Sequence, residues 1–164
     1  MKGRELLRPV TLWDWAVQAY GQPDVETLCL RLQDEHDQCV SYLLWAAWAA
    51  RTGRKVDDMG LTRAAAMARE WEEAVLRPLR SARRALRRPP GGVDDAGRDS
   101  LRLRLQADEL AAERLLLEAL EAMTPAGTGP SISPDRALVA AAEAWGDPPP
   151  AALLEALRRA FSNV

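Results

Sequence analysis

The most apolar part of this chain is residues 39–50, with the sequence CVSYLLWAAWAA. This segment contains no charged side chain, and Trp45 and Trp48 lie three positions apart within it. A helix that is apolar on every side must be surrounded by other helices, because a surface helix keeps one polar face. We therefore predict that residues 39–50 form the central helix of an all-α core.

Two amphipathic helices are predicted before the central helix, because apolar residues recur there at helical spacing. Thr11 and Asp14 are spaced as in a capping box at the start of the first helix. The apolar positions are Leu12, Trp13, Ala16, Val17 and Tyr20 in the first helix, then Val25, Leu28, Cys29 and Leu32 in the second. Trp15 is not among these apolar positions. Of the six tryptophans, Trp15 and Trp145 are the two whose burial the pattern predicts least clearly.

A long fourth helix is predicted to begin near Gly60 and to extend to about Arg88. Pro78 lies inside it. Because proline lacks a backbone N–H and its ring clashes with the preceding turn, we expect a kink or a break at about Arg77.

The rest of the chain predicts a fifth helix over about residues 98–123 and two short helices over residues 134–145 and about 149–161. The fold class is therefore all-α, an irregular bundle of about five main helices with a C-terminal helical pair. We predict a bundle domain over residues 1–123, and a linker with a helical extension over residues 124–164 that packs on it.

The fifth helix carries two apolar stripes. The first consists of Leu101, Leu105, Ala112, Leu116, Ala119 and Met123 and should face the core. The second consists of Leu103, Leu110 and Leu117, seven residues apart on roughly the opposite side. Such a stripe must be covered. We favour coverage by the C-terminal helices; the alternative is a partner or a second copy of the chain.

The fourth helix also carries an arginine-rich face. Residues 77–88 contain six arginines and no acidic residue. Guanidinium groups form forked hydrogen bonds with carboxylates, so this face is a candidate for binding an acidic partner. The alternative is a solvated face that is partly neutralised by Glu73, one turn before Arg77, and by acidic residues of the fifth helix. The candidate residues are Arg77, Arg80, Arg83, Arg84 and Arg87.

The polar segment QDEHDQ, residues 33–38, is a second candidate site. It contains His36, the single histidine of the chain. Asp34 and Asp37 are three residues apart, a spacing that puts two carboxylates on one helix face, where they can hold Mg²⁺. The alternative is that all three are helix-end residues, with Asp37 as the N-cap of the central helix. Asp34, His36 and Asp37 are thus candidate ligand or metal residues.

Composition argues against several functional classes. The formal net charge of −2 argues against nucleic-acid binding, which is typical of strongly basic domains. Cysteines and histidines are too few for an ordinary zinc site, and no glycine-rich phosphate loop occurs, so we predict no cofactor. Cys29 and Cys39 are predicted to be reduced and buried. Without a signal peptide or a segment of the ~20 apolar residues that cross a membrane, we predict a cytoplasmic protein.

Three segments of the sequence resemble a small proteobacterial family known only as conserved proteins or domains of unknown function. They are LWDWAVQAYGQPDVETLCLRLQDEHDQCVSYLLWAAWAARTGR, WEEAVLRPLRSARRAL and LLLEALE, and the resemblance covers about residues 11–123. It implies a helical bacterial cytoplasmic protein. It implies no reaction, ligand or catalytic residue.

From these patterns we expect a non-enzymatic interaction module, an adaptor or regulator. It would bind an acidic protein partner through the arginine face and the second leucine stripe, and a homodimer is a further option. The alternative is a small helical enzyme or ligand-binding protein that uses the Asp34, His36 and Asp37 cluster beside an aromatic pocket.

Overall fold

A computed structural model describes residues 10–88, 91–127 and 131–164. Over these residues the chain is all-helical, without a strand, as predicted. The helices are α1 (Leu12–Tyr20), α2 (Val25–His36), α3 (Val40–Arg51), α4 (Asp58–Trp71), α5 (Arg77–Ala85), α6 (Asp95–Ala122), α7 (Pro134–Trp145) and α8 (Ala151–Ala160). A π-helical segment, Glu72–Leu76, joins α4 to α5, and the 3₁₀ turn Phe161–Asn163 follows α8. The structure does not describe residues 1–9, 89–90 and 128–130. These residues belong to the N-terminal segment, the loop before the fifth predicted helix and the predicted linker.

Short polar side chains begin three of the helices. Thr11 Oγ1 accepts a hydrogen bond from the Asp14 N–H at 3.1 Å, which is the N-cap predicted for α1. Asp57 and Asp94 accept equivalent bonds from Gly60 and Gly97 at the starts of α4 and α6. The fourth and fifth predicted helices therefore begin two or three residues earlier than the apolar pattern indicates.

The central helix α3 is buried along almost its whole length, as predicted. The polar tips of its aromatic side chains all find partners. Trp45 Nε1 donates to Thr124 Oγ1 at 2.7 Å, Trp48 Nε1 donates to the Val10 carbonyl at 3.1 Å, and the Tyr42 hydroxyl donates to the Leu61 carbonyl at 3.0 Å. Buried indole and phenol groups need such partners, so these bonds fix α3 relative to three other segments.

The C-terminal helices pack on α2, α3 and α4. α7 contacts α3 and α4, while α8 contacts α2. Trp145 is buried, lies 5.7 Å from the Tyr42 ring and donates to the Asp37 carbonyl at 2.7 Å. The prediction that these helices cover the second leucine stripe is wrong, because two of its residues are exposed and Leu117 lies beside residues of α1 and α3. Leu103 is 61% exposed and Leu110 is 55% exposed, whereas Leu117 is buried.

The buried faces of α1 and α6 also differ from the predicted ones. In α1 the core residues include Trp15 and Ala19, while Val17 and Tyr20 are exposed. In α6 the core side is Glu109, Ala112, Leu116, Leu117 and Leu120. Leu101 and Ala119 are exposed. Both helices carry more apolar side chains than the core buries. Helical spacing alone therefore does not show which face of each helix packs against the core.

The turn between α2 and α3 is short, and Asp37 has a different role from the predicted one. Asp37 is the C-cap of α2 in the left-handed conformation, with φ of 52°, and Cys39 is the N-cap of α3. Aspartate tolerates this conformation better than most residues. Cys29 and Cys39 are buried and form no disulfide, as predicted. Burial raises the pKa of each thiol to about 12. Among the described helices, none has the length and apolar character needed to cross a bilayer.

Candidate functional site

The break at Pro78 takes the form of a widened helical turn. Glu72–Leu76 is π-helical, the Arg77 N–H bonds to the Glu72 carbonyl, and α5 begins at Arg77, where a break was predicted. Proline in a regular α-helix clashes with the carbonyl four residues earlier. A π-helical turn holds an additional residue, and such turns are frequent at functional sites. The turn places Glu72 and Arg80 on the same side of the helix.

Arg80 is the centre of a buried ion-pair cluster between α5 and α6. Its side chain is only 8% exposed. Its guanidinium donates to Glu72, to Glu109 Oε1 at 3.1 Å and to Glu113 Oε1 at 3.1 Å. Arg83 Nε donates to Glu109 Oε2 at 2.6 Å. We call these five residues the Arg80 cluster. A rigid guanidinium fork suits this role because it can serve several carboxylates at once.

Two carboxylates of the Arg80 cluster have altered acidity. Burial raises the pKa of Glu72 and of Glu113, and the positive charge of Arg80 acts in the opposite direction. The charge of Arg80 therefore favours the ionised form of both carboxylates against the effect of burial.

Two exposed ion pairs lie next to this cluster and connect α5 to the end of α2. Arg77 Nη2 lies 2.7 Å from Asp37 Oδ1, and Arg84 pairs with Asp34. The four side chains are roughly half exposed or more. Exposed pairs of this kind contribute about 0–1 kcal/mol, because water competes for both partners. The two candidate sites named from the sequence, the arginine face and the Asp/His segment, thus meet in one place.

A polar cavity of about 320 Å³ lies between these elements. Its lining residues are Gln33, Asp34, Asp37, Gln38, Glu72, Arg77, Arg80 and Arg84. Gln38 donates to the His36 carbonyl at 3.3 Å and to the Asp147 carbonyl at 3.1 Å, which uses both of its N–H groups. Gln38 Oε1 and Glu72 Oε2 are buried acceptors that have no hydrogen-bond partner in the part of the chain that the structure describes. Leaving a buried polar atom unpaired costs about 1–3 kcal/mol.

His36 faces a neighbouring cavity of about 440 Å³ rather than the polar cavity. Asp37 and Gln38 line both cavities. The far wall of the second cavity contains Trp145, and the Arg69 guanidinium lies 4.5 Å from its ring. Within residues 10–88, 91–127 and 131–164, no three His, Cys, Asp or Glu side chains are grouped to hold a metal ion.

An apolar groove of about 350 Å³ lies on the other side of the Arg80 cluster, between α1, α3 and α6. Its lining residues are Trp13, Ala16, Val17, Tyr20, Val40, Ser41, Leu44, Leu110, Glu113 and Leu117. At one end α1 is joined to α6, because the Leu12 N–H donates to Glu121 Oε2 at 2.9 Å. The Arg114 guanidinium lies 4.9 Å from the Trp13 ring. Within the described part of the chain, Val17, Tyr20 and Leu110 on the rim of the groove are exposed.

The arginine face and the leucine stripe run side by side. Arg80 pairs with Glu113 and Arg83 pairs with Glu109, so α5 is antiparallel to the N-terminal half of α6. Arg87 is exposed in the turn that follows α5. Glu109 precedes Leu110 in the chain, and Glu113 itself lines the groove. The two partner-binding sets named from the sequence are therefore adjacent.

The sequence alternative of acidic residues from the fifth helix beside the arginines agrees with Glu109 and Glu113, although it named neither residue, and sequence reasoning missed the groove wall on α1. Glu109 and Glu113 are four residues apart on α6, which is the available signal, but nothing in the sequence shows which helix they face. Trp13, Val17 and Tyr20 were noticed as apolar residues at helical spacing. The pattern does not show that they border an open groove instead of the core.

The fold and these sites define an all-α bundle with the polar cavity on one side of the Arg80 cluster and the apolar groove on the other. The family described as protein of unknown function, DUF2390, matches residues 11–120, and the chain belongs to this family. The match ends within α6 and so contains the residues of both sites but not α7 or α8. No curated protein and no solved structure matches the chain.

Proposed function

We propose that this protein is a non-enzymatic interaction module, an adaptor or regulator, that binds an acidic amphipathic helix of a partner protein. The observation that carries the proposal is the open apolar groove beside the arginine face of α5. The apolar face of the partner helix would occupy the groove, and its acidic residues would meet the arginines.

The apolar part of this surface supports a helix as the occupant. Val17, Tyr20 and Leu110 are large, exposed side chains on the rim of the groove, and Leu103 continues the row along α6. Exposed apolar side chains in a contiguous set are typical of binding surfaces. An amphipathic helix docks into such a groove through residues at i, i+3 or i+4, and i+7.

The charges support an acidic partner. Arg87 and Arg88 are exposed at the end of α5, and neither has an ion-pair partner among the described residues. Arg77 and Arg84 line the polar cavity instead, on the other side of the Arg80 cluster from the groove, so this proposal assigns them no part in helix binding. Electrostatic attraction would orient the partner, and apolar contacts would then hold it.

A bacterial cytoplasmic setting is part of this proposal, and the two buried free cysteines support its cytoplasmic part.

Peptide display on the immobilised full chain tests the proposal. We expect the enriched peptides to combine apolar residues at helical spacing with Asp or Glu. Leu110→Asp should weaken their binding by at least about tenfold, because it places a charge on the groove rim. Arg87→Glu should also weaken it. Leu115→Asp is the matched control, since Leu115 has the same 55% exposure on α6 but lies outside the groove.

Three outcomes would overturn this proposal. The first is enrichment of basic peptides, and the second is equal weakening by Leu110→Asp and Leu115→Asp. The third is a dimer in light scattering that Leu110→Asp dissociates, because a second copy of the chain would then be the occupant.

A second candidate function is a small helical enzyme or ligand-binding protein that uses Asp34, His36 and Asp37. It is supported by the two adjoining cavities that these residues line, one of which also contains Trp145.

A further inference from the structure

The polar cavity has balanced charges. Three guanidinium groups, those of Arg77, Arg80 and Arg84, line it together with the carboxylates of Asp34, Asp37 and Glu72. A ligand with a single charge would meet as many like charges as opposite ones. A ligand that carries both charges can place each beside its complement.

The buried wall of the polar cavity requires a hydrogen-bond donor. Gln38 and Glu72 are only 2% and 5% exposed, and each keeps one side-chain oxygen without a partner. Both N–H groups of Gln38 already bond to backbone carbonyls, so its amide cannot turn over without losing them. An ammonium group has three N–H donors and no acceptor, which fits two acceptors of this kind.

The outer wall of the polar cavity offers donors to an anion. Arg77 and Arg84 are half exposed, and each bonds its aspartate through a single terminal nitrogen. Their remaining N–H groups can therefore receive a carboxylate, the anion that matches a guanidinium fork.

We propose that the polar cavity binds a small zwitterion with a primary ammonium group and a carboxylate, the chemistry of a free amino acid. The ammonium group lies toward Glu72 Oε2 and Gln38 Oε1, and the carboxylate lies between Arg77 and Arg84. The cavity volume of about 320 Å³ is within the range of small-molecule sites. This inference rests on the second candidate function and is independent of the helix-binding proposal.

Saturation-transfer NMR of the full chain with each of the common L-amino acids, followed by calorimetry on those that bind, tests the inference. We expect at least one amino acid to bind. Its N-acetyl derivative lacks the ammonium charge and its amide lacks the carboxylate, so each should bind at least about tenfold more weakly.

Arg77→Gln combined with Arg84→Gln should reduce the affinity for this amino acid by a similar factor. Both arginines are half exposed, so the fold should persist, which circular dichroism checks. Arg114→Gln is the matched control, because Arg114 is also half exposed and ion-paired, but on α6 outside the polar cavity.

The inference is overturned if no amino acid binds, if the N-acetyl derivative binds as well as the parent, or if the double arginine variant binds normally. Leu110→Asp separates the two proposals, since it should abolish peptide binding and leave amino-acid binding unchanged. Failure of amino-acid binding with intact, Leu110-dependent peptide binding rejects the zwitterion site alone.

Discussion

Arg80 and Arg84 differ by a single turn of α5 and have opposite environments. Arg80 is buried against Glu72, Glu109 and Glu113, whereas Arg84 forms an exposed pair with Asp34. In the sequence both are arginines on the same helix face. The face of α6 that packs against α5 decides which of them is buried, and this cannot be inferred from α5 alone.

We expect Arg80→Met to destabilise the fold by about 3–5 kcal/mol, because it leaves buried carboxylates without their positive partner. Arg84→Met should cost less than about 1 kcal/mol. Urea unfolding followed by circular dichroism measures both. Equal effects of the two substitutions would contradict the central role of Arg80.

The cost of Arg80→Met should depend on pH. Burial raises the pKa of Glu72 and Glu113, and removal of Arg80 should raise it further. A carboxyl group with a folded-state pKa above its unfolded value contributes stability that is present below the unfolded pKa and lost as pH rises through the folded pKa. The stability difference between wild type and Arg80→Met should therefore be smallest below pH 4.5, the ordinary glutamate pKa, and grow toward neutral pH.

Unfolding free energies of wild type, Arg80→Met and Arg84→Met across this pH range check the sign. The Arg84→Met difference should stay nearly constant. A constant difference for Arg80→Met as well would show that the buried glutamates do not titrate as inferred.

At the level of elements, the start of α1 after Thr11 was predicted correctly, whereas the Asp57 and Asp94 caps of α4 and α6 were not recognised. Ser133 is the N-cap of α7, whose bounds Pro134–Trp145 agree with the prediction. Pro78 indicated a break at Arg77, but not that the chain would resolve it with a π-helical turn. The buried face of α1 was predicted incorrectly because Trp13, Val17 and Tyr20 are as apolar as core residues. The sequence therefore does not show which side of α1 faces the core.

The π-helical segment and Pro78 should be energetically coupled. Glu73 is exposed within the segment, and deleting it should return the turn to α-helical geometry. Pro78 would then clash with the turn before it, at a cost of about 3 kcal/mol. Combining the deletion with Pro78→Ala should recover most of this loss.

A double-mutant cycle measured by urea unfolding gives the coupling. We expect at least about 1 kcal/mol between the two changes. Deletion of Gly91, in the loop between α5 and α6, is the control and should show no coupling to Pro78→Ala. Strictly additive effects of the Glu73 deletion and Pro78→Ala would mean that the π-helical turn has another cause.

For the whole molecule, the family match ends at residue 120, yet the core continues into α7 and α8. Leu138, Trp145, Leu154 and Phe161 are all buried. The division into residues 1–123 and 124–164 stays a prediction, and the packing of α7 on α3 indicates how to test it.

We expect a chain that ends at Met123 to lose cooperative unfolding. Each buried apolar side chain that it lacks contributes about 1.5–3 kcal/mol, and their sum approaches the whole stability of a typical domain, about 5–15 kcal/mol. Thermal circular dichroism of the truncated chain measures this. Removal of residues 162–164 alone, which leaves α8 intact, is the control. A sharp transition in the truncated chain would instead support an independent bundle domain.

The fluorescence of Trp13 should report on what occupies the apolar groove, because Trp13 lines it. Its indole is partly buried at the groove, beneath Arg114, whereas Trp15, Trp45, Trp48 and Trp145 are enclosed in the core. Trp71 is also partly buried, but it lies outside the groove and donates to the Ala112 carbonyl. Indole fluorescence responds to local polarity, so a helix seated against Trp13 should shift its emission to the blue and protect it from acrylamide quenching. The unmodified chain thus carries a reporter for occupancy of this surface, and Trp13→Phe supplies the spectral blank.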